Sequence, residues 1–140
     1  MRVYIASPYI RQMEINEKLA QLLEKEGFEV FLPISINIDA VTSDEMQIVA
    51  THCYDEIDKC DIMLIVHPYG KSVSAEIGYA IAERRHKNNP RKLILYNNDV
   101  HDMETLKKTQ LEVMINPYID FQTDDLSELI ECFNSMTHAL

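Results

Sequence analysis

The chain has 140 residues, 46% of them hydrophobic, and this size and composition fit one globular domain over residues 1–140. Its formal net charge of -10 repels polyanions and argues against DNA or RNA as a partner. No segment approaches the roughly 20 apolar residues of a membrane span, and the first residues lack the apolar core of a signal peptide. The three cysteines are an odd number at no ligand-like spacing, so we expect a reduced, cytoplasmic protein. The absence of a C-x-x-C pair argues against a zinc site formed by His52, Cys53 and Cys60.

Strand-like and helix-like segments alternate from the start of the chain. Residues 2–6 (RVYIA) are rich in β-branched and aromatic residues and predict a first strand. Apolar residues at helical spacing follow in residues 13–28, and Gly27 marks the end of that helix. Residues 29–33 (EVFLP) predict a second strand that ends at its proline.

The middle of the chain predicts a long helix and a buried strand. Thr42 and Glu45 have the form of a capping box at the start of a helix over residues 42–60, whose apolar stripe includes Cys53. The continuous apolar run of residues 61–67 (DIMLIVH) is typical of a central strand that is buried on both faces. Another helix follows it.

The last third of the chain predicts two more strands. Residues 92–96 (KLILY) and residues 118–121 (YIDF) have strand character, and residues 103–115 between them favour a helix. Thr123 is the predicted cap of a final helix.

Strands separated by helices require parallel pairing with right-handed crossovers. We therefore predict an α/β fold, a doubly wound, flavodoxin-like three-layer sandwich with a five-stranded parallel sheet of order 2-1-3-4-5. In this order the chain leaves strands 1 and 3 in opposite directions, and ligands bind at that switch point. The loops that begin at Ser7 (SPYIR) and at His67 (HPYGKSVS) should face each other there. Their rings and hydroxyl groups suit a stacked base and a hydrogen-bonded sugar.

One carboxylate, Glu76, is predicted in the first turn of the helix after strand 3. Acidic residues are favoured there by the helix dipole, so a structural role is the simplest one. Its place at the switch point and the small residues Ser72, Ser74 and Ala75 beside it leave room for a ligand. The helix N-terminus should keep the carboxylate ionised, as a nucleophile requires.

Three segments, VYIASPY (3–9), CDIMLIV (60–66) and SVSAEIGYA (72–80), together resemble the nucleoside 2-deoxyribosyltransferase family, whose wider group includes 2′-deoxynucleoside 5′-monophosphate N-glycosidases. The resemblance implies an enzyme that cleaves the N-glycosidic bond of a (deoxy)nucleoside or its 5′-monophosphate. It implies that Glu76 attacks the anomeric carbon and forms a covalent glycosyl intermediate, as in a retaining glycosidase. Tyr4 matches the tyrosine that hydrogen-bonds this nucleophile, although the sequence alone is equally consistent with a core aromatic.

The two loops supply the predicted substrate-binding residues. They are Ser7, Pro8, Tyr9, Gly70, Ser72 and Ser74. Ser7 matches a serine of the monophosphate N-glycosidases, which surround the phosphate with hydroxyl and basic groups. Arg11 and Lys71 are the cations nearby, and surface solvation is the alternative for both.

The expected partner is therefore a small nucleoside or nucleotide, with no nucleic-acid polymer and no membrane. No dinucleotide-binding or P-loop motif occurs, so we predict no cofactor. The resemblance also implies a homodimer or a higher homo-oligomer, in which a neighbour's segment around residues 115–121 (INPYIDF) closes the site.

Two positions depart from the family pattern. Relatives carry an aspartate eight residues before the aspartate that opens strand 3, where this chain has Cys53. The transferases carry another aspartate six residues before the nucleophile, where this chain has Gly70. These departures leave open a nucleotide-binding module without turnover. A TIR-like NAD hydrolase is another alternative, because it also uses a glutamate in a flavodoxin-like fold, although the larger insertions and loop cations expected of it are not found in the sequence.

Overall fold

The computed structural model describes residues 1–33, 42–98 and 114–138, without the side chain of the last of these. Its five parallel strands lie in the order β2-β1-β3-β4-β5, which confirms the predicted topology. The strands are β1 (Arg2–Ala6), β2 (Glu29–Phe31), β3 (Ile62–His67), β4 (Lys92–Asn97) and β5 (Phe121–Thr123). The helices of the described part are α1 (Met13–Lys25), α2 (Ser43–Lys59), α3 (Lys71–His86) and α4 (Leu126–His138). None of them is long and apolar enough to cross a membrane.

Two hydrophobic clusters cover the two faces of the sheet, because successive residues of a strand point to opposite sides. Val3 and Ile5 of β1 pack in the cluster that holds Leu19 of α1 and Phe133 of α4. Tyr4 packs in the opposite cluster, together with α2 and α3. Tyr4 therefore faces the layer that carries Glu76.

The predicted helix signals at Thr42 and Gly27 are confirmed. The hydroxyl of Thr42 accepts the N–H of Glu45 at 3.2 Å, and the Glu45 carboxylate accepts the N–H of Thr42 at 2.9 Å. Such a capping box satisfies two of the N–H groups left free at a helix start. Gly27 follows α1 with a φ of 94°, a conformation that glycine adopts without steric cost.

The fifth strand lies later in the chain than residues 118–121. Asn116–Tyr118 form a 3-10 turn, and β5 runs from Phe121 to Thr123. The carboxylate of Asp120 explains the shift, since it accepts the N–H of Leu93 at 2.8 Å and both Nη atoms of Arg84 at 2.8 and 2.9 Å. The side chain of Asp120 thus fixes the entry to the strand.

The prediction that Thr123 caps the last helix is wrong. Thr123 is the last residue of β5, and α4 begins at Leu126. The Asp125 carboxylate accepts the N–H of Glu128 at 3.0 Å and so takes the capping role given to Thr123. Of the helix predicted at 103–115, residues 103–113 lie outside the described residues, and the two that follow form a turn.

Candidate active site

A cavity of about 310 Å³ lies at the carboxyl ends of β1 and β3, between the loops that follow them. Its walls include five of the six predicted substrate-binding residues and the predicted nucleophile. The lining residues are Ser7, Pro8, Tyr9, Arg11, Pro33, Val49, Cys53, Gly70, Lys71, Ser72, Val73 and Glu76. The volume is at the lower end of the range for small-molecule sites. A larger groove of about 480 Å³ runs along the exposed face of α2 and contains none of the predicted site residues.

Ser74, the remaining predicted substrate-binding residue, does not line the cavity. Its hydroxyl donates to the carbonyl oxygen of Gly70 at 2.9 Å, and its N–H donates to the same oxygen at 3.0 Å. Because the hydroxyl is engaged inside the first turn of α3, its contact with a substrate stays a prediction.

Glu76 lies in the second turn of α3, not in the first. The helix begins at Lys71 with Gly70 as its cap, and its first turn carries no acidic residue. The carboxylate is largely buried, and this burial raises its pKa from 4.5 to about 7, although the nearby Tyr4 hydroxyl acts to lower it. Burial therefore favours the protonated form of Glu76, contrary to the expectation that the helix N-terminus keeps it ionised.

Tyr4 is completely buried below the cavity. Its ring stacks on Phe31, with ring centroids 5.3 Å apart. Burial, together with the neighbouring Glu76 carboxylate and Cys53 thiol, raises the pKa of Tyr4 far above its usual value, so the hydroxyl stays protonated. The Tyr4 hydroxyl lies near the Glu76 carboxylate and the Cys53 thiol, but neither Tyr4 Oη nor Glu76 Oε2 makes a hydrogen bond of ordinary geometry among the described residues. Buried polar atoms without a partner are rare and mark a place where a ligand or water completes the bonding.

Cys53 occupies the wall of the cavity that α2 provides, one turn after Val49. Burial raises the pKa of its thiol, which is therefore neutral at physiological pH. The neighbouring titratable residues of α2 point elsewhere, since the His52 ring contacts Phe31 and the Glu56 carboxylate pairs with Lys59 at 3.2 Å. A neutral thiol therefore lines the cavity at the position where the resemblance implies an aspartate.

Two cations line the cavity at the start of α3. Lys71 is the first residue of the helix, and Arg11 approaches from the loop after β1. A Cβ atom on Gly70 would lie 3.3 Å from Arg11 Nη2, so the absence of a side chain at this position lets the guanidinium come close. The helix N-terminus adds a partial positive charge. This end of the cavity is cationic in a chain whose net charge is -10.

Gln12 connects the two loops and Asn16 fixes the first of them, and the sequence analysis did not identify either residue. Gln12 is buried, its Nε2 donates to the Pro68 carbonyl at 3.5 Å, and its Oε1 accepts a bond from Asn98 Nδ2 at 3.1 Å. Asn16 Nδ2 donates to the Pro8 carbonyl at 3.4 Å. One signal was present, because Asn16 lies at helical spacing from buried apolar residues of α1 and so belongs to the buried face.

Solved structures of similar fold include two transferases and one hydrolase. The 2-deoxyribosyltransferase of Bacillus psychrosaccharolyticus is 17% identical, with a TM-score of 0.70 over 92% of this chain and 90% of that chain. The 2-desoxiribosyltransferase of Leishmania mexicana is 15% identical, with a TM-score of 0.61 over 96% and 97%. The CMP N-glycosidase of Clostridium botulinum is 20% identical, with a TM-score of 0.55 over 96% and 98%. At these identities the likeness establishes the fold.

The sequence itself carries the assignment to a family. No curated protein sequence matches the chain. Residues 3–131, however, match the sequence profile described as Nucleoside 2-deoxyribosyltransferase. Because the match spans both cavity loops and most of the chain, the protein belongs to the nucleoside 2-deoxyribosyltransferase family.

Proposed function

We propose that the protein cleaves the N-glycosidic bond of a (deoxy)nucleoside or of its 5′-monophosphate, with Glu76 as the nucleophile. The observation that carries this proposal is the position of Glu76. Its carboxylate is largely buried, borders the cavity at the switch point of the sheet, and has one oxygen without a hydrogen-bond partner among the described residues. A structural acid that opens a helix would lie in the first turn and face water.

The chemistry would proceed in two displacements. An oxygen of the ionised Glu76 forms an ester bond to the anomeric carbon while the bond to the base breaks, and the base leaves with the bonding electron pair and takes up a proton from water. Water or a second base then attacks the same carbon and releases Glu76. The Tyr4 hydroxyl would donate to the carboxylate and orient it, and it can do so because it remains protonated.

Ionisation of Glu76 would limit the first step. The neutral acid is a poor nucleophile, and a pKa of about 7 leaves only part of the protein in the reactive form at neutral pH. A bound sugar that develops positive charge in the transition state would favour the ionised form. The elevated pKa of Glu76 therefore fits a carboxylic acid that is partly protonated in the free protein and ionises when the substrate is bound.

The cavity also supports a 5′-monophosphate as a substrate. Arg11, Lys71 and the start of α3 place positive charge beside the hydroxyl groups of Ser7 and Ser72. The Ser7 hydroxyl is buried and has no partner among the described residues. A dianionic phosphate would complete the bonding of these groups.

A binding module without turnover is the second candidate, and Cys53 is the observation that favours it. The thiol lines the cavity at a position where the resemblance implies an aspartate, and Gly70 occupies the position of a second aspartate that the resemblance implies. A site that has lost both carboxylates can retain its ligand while losing the ability to exchange bases.

The two functions are separated by one experiment. The protein is incubated with the common ribo- and deoxyribonucleosides, their 5′-monophosphates and NAD, each with and without a second free base, and products are resolved by chromatography. Release of a base supports an N-glycosidase, and appearance of a new nucleoside supports a transferase. Tight binding of one compound without any product would establish the module instead.

A further inference from the structure

Tyr79 belongs to the EIGYA segment and lies three residues after Glu76, yet the chemistry above gives it no part. Residues three apart lie on the same side of a helix, about one turn from each other. The hydroxyl of Tyr79 donates to Asp58 Oδ1 of α2 at 2.7 Å. Its ring contacts the ring of Tyr54, also on α2, with centroids 4.7 Å apart. Tyr79 therefore joins the two helices that supply the cavity's carboxylate and thiol.

α2 and α3 pack on the same face of the sheet and run in the same direction, because each returns between parallel strands. Near the cavity they approach each other where Glu76 and Cys53 flank the Tyr4 hydroxyl. About one turn further along they meet again through Tyr79. Glu76 lies one turn before Tyr79 on α3, and Cys53 directly precedes Tyr54 on α2. A movement of α3 away from α2 at the second contact would therefore also move Glu76 away from Cys53 at the first.

The bond from Tyr79 to Asp58 is short but lies at the protein surface, where water reduces its contribution. Hydrogen bonds from a hydroxyl to a carboxylate are typically about 2.5–2.7 Å long and roughly twice as strong as neutral ones. The bond to Asp58 raises the pKa of Tyr79 to about 12, so the hydroxyl remains a donor at neutral pH. The nearby residues Ala75, Gly78 and Ala80 have side chains too short to span two helices. Ile77 and Ile81 of α3 share a buried cluster with Ile57 of α2, and Tyr79 adds a directed polar contact between the two helices.

We propose that Tyr79 is a positioning residue, which holds α3 at the distance from α2 at which Glu76 faces Tyr4. This inference rests on the proposed function, because it assigns the distance a role in the attack by Glu76. Misplacement of a reacting group by about 1 Å can cost on the order of a hundredfold in rate. Loss of the hydroxyl alone leaves the ring contact in place, so a smaller effect is expected from that change.

Two variants separate positioning from general stability. Tyr79→Phe removes the hydroxyl and keeps the ring against Tyr54. Thr123→Val removes a hydroxyl that bonds the Glu128 carboxylate at 2.6 Å, on the opposite side of the sheet from Glu76. Both variants lose one hydroxyl-to-carboxylate bond, and Thr123→Val also removes the acceptor of the Asp125 N–H, so the control is the more strongly perturbed of the two. Only Tyr79→Phe alters the junction of α2 with α3. A further pair tests the acceptor, because Asp58→Asn keeps an oxygen for Tyr79 and Asp58→Ala does not.

The first readout is base release from the four common deoxynucleosides and their 5′-monophosphates. Tyr79→Phe should lower kcat by roughly tenfold with KM changed less than twofold, while Thr123→Val should retain the wild-type kcat. Asp58→Asn should recover most of the rate that Asp58→Ala loses. Equal losses in Tyr79→Phe and Thr123→Val would overturn the proposal, since both would then act through stability.

The second readout needs no turnover. The pKa of Glu76 is followed by carbon-13 NMR of its carboxyl group in the wild type and in both hydroxyl variants. The groups around it, Tyr4 from β1, Cys53 from α2, and Arg11 and Lys71 at the cavity, are unchanged in all three. Tyr79→Phe should bring the pKa of Glu76 down toward its ordinary value as water enters, and Thr123→Val should leave it in place. An unchanged pKa in Tyr79→Phe would overturn the positioning role, whereas a wild type that releases no base would refute the proposed function alone.

Discussion

The Tyr4 hydroxyl lies close enough to the Glu76 carboxylate to lower its pKa, although neither Tyr4 Oη nor Glu76 Oε2 makes a hydrogen bond of ordinary geometry among the described residues. Tyr4 is fixed by its place in β1, and Glu76 is carried by α3 on the same side of the sheet. The fold thus brings a permanent donor to a carboxylate that titrates near neutrality. The first two predictions follow from this pair.

Glu76 should make the stability of the protein depend on pH. Its pKa is higher in the folded protein, at about 7, than its ordinary value of 4.5, so the folded state holds the proton more tightly. The free energy of unfolding should therefore fall as the pH rises from 4.5 to 7 and level off above that. Each tenfold change in a protonation equilibrium is worth about 1.4 kcal/mol, which sets the total at up to about 3 kcal/mol.

Glu76→Gln should remove this dependence, because glutamine does not ionise. Urea unfolding of the wild type and of Glu76→Gln at pH 5, 6, 7 and 8 measures the difference between the two curves, in which all other titrating groups cancel. The free energy of unfolding of Glu76→Gln should increase relative to that of the wild type as the pH rises. Parallel curves of the free energy of unfolding against pH would mean that Glu76 has an ordinary pKa and is exposed to water.

Tyr4→Phe tests whether the hydroxyl serves catalysis or only fills the core. The ring contact with Phe31 remains, and a buried hydroxyl without a partner among the described residues is removed, so the melting temperature should stay the same or rise. The pKa of Glu76 should rise, since Tyr4 now acts to lower it. Base release at pH 7 should fall by roughly tenfold or more. The rise of activity with pH should shift to higher pH, because the pKa of Glu76 is higher. Wild-type activity with a higher melting temperature would identify Tyr4 as a core aromatic only.

Cys53→Asp should leave the fold intact, because the side chain borders the cavity, where water can solvate the carboxylate. The new charge beside Glu76 should raise the pKa of Glu76 further, by repulsion between like charges. Cys60→Asp is the matched control at the end of the same helix, since Cys60 is buried and an unpaired carboxylate there should cost several kcal/mol. The melting temperatures of the two variants test this. A large fall in both melting temperatures would show that Cys53 is buried in the core, away from the cavity.

Arg11→Gln and Lys71→Gln should weaken the binding of 5′-monophosphates and spare that of nucleosides. Both cations line the cavity, and only a phosphate offers them a charged partner there. KM for the monophosphate should rise by roughly tenfold in the double variant, with KM for the nucleoside nearly constant. Lys18→Gln is the control, because Lys18 shares a neighbouring groove with Arg11 and does not line this cavity. Equal effects on both substrates would remove the phosphate from the proposed function.

The sheet and its order could be predicted from the sequence because local patterns determine both. The alternation of strands and helices, and the doubly buried character of residues 61–67, required parallel pairing before any contact was known. The cavity loops followed from that order. Residues whose structure is set by distant partners were placed less well, as the fifth strand shows, since Asp120 pairs with Arg84 across 36 positions of the chain.

The chemistry of the site was predicted less well than its location. The position of Glu76 in the chain favoured an ionised acid at the start of a helix, whereas burial from neighbouring elements raises its pKa. The bonds of Gln12 to Pro68 and Asn98 join three separate loops and leave no local pattern. Burial and long-range hydrogen bonds arise from packing, and a single sequence does not contain them.

The most direct test of the catalytic role of Glu76 is mass spectrometry of the protein after incubation with a 2-fluoro-substituted nucleoside or its 5′-monophosphate, which slows breakdown of a glycosyl ester. The account predicts an added mass of one fluorinated sugar on the peptide that contains Glu76 in the wild type, and no such mass in Glu76→Gln. Base release without any adduct, or an adduct of equal yield in Glu76→Gln, would contradict it.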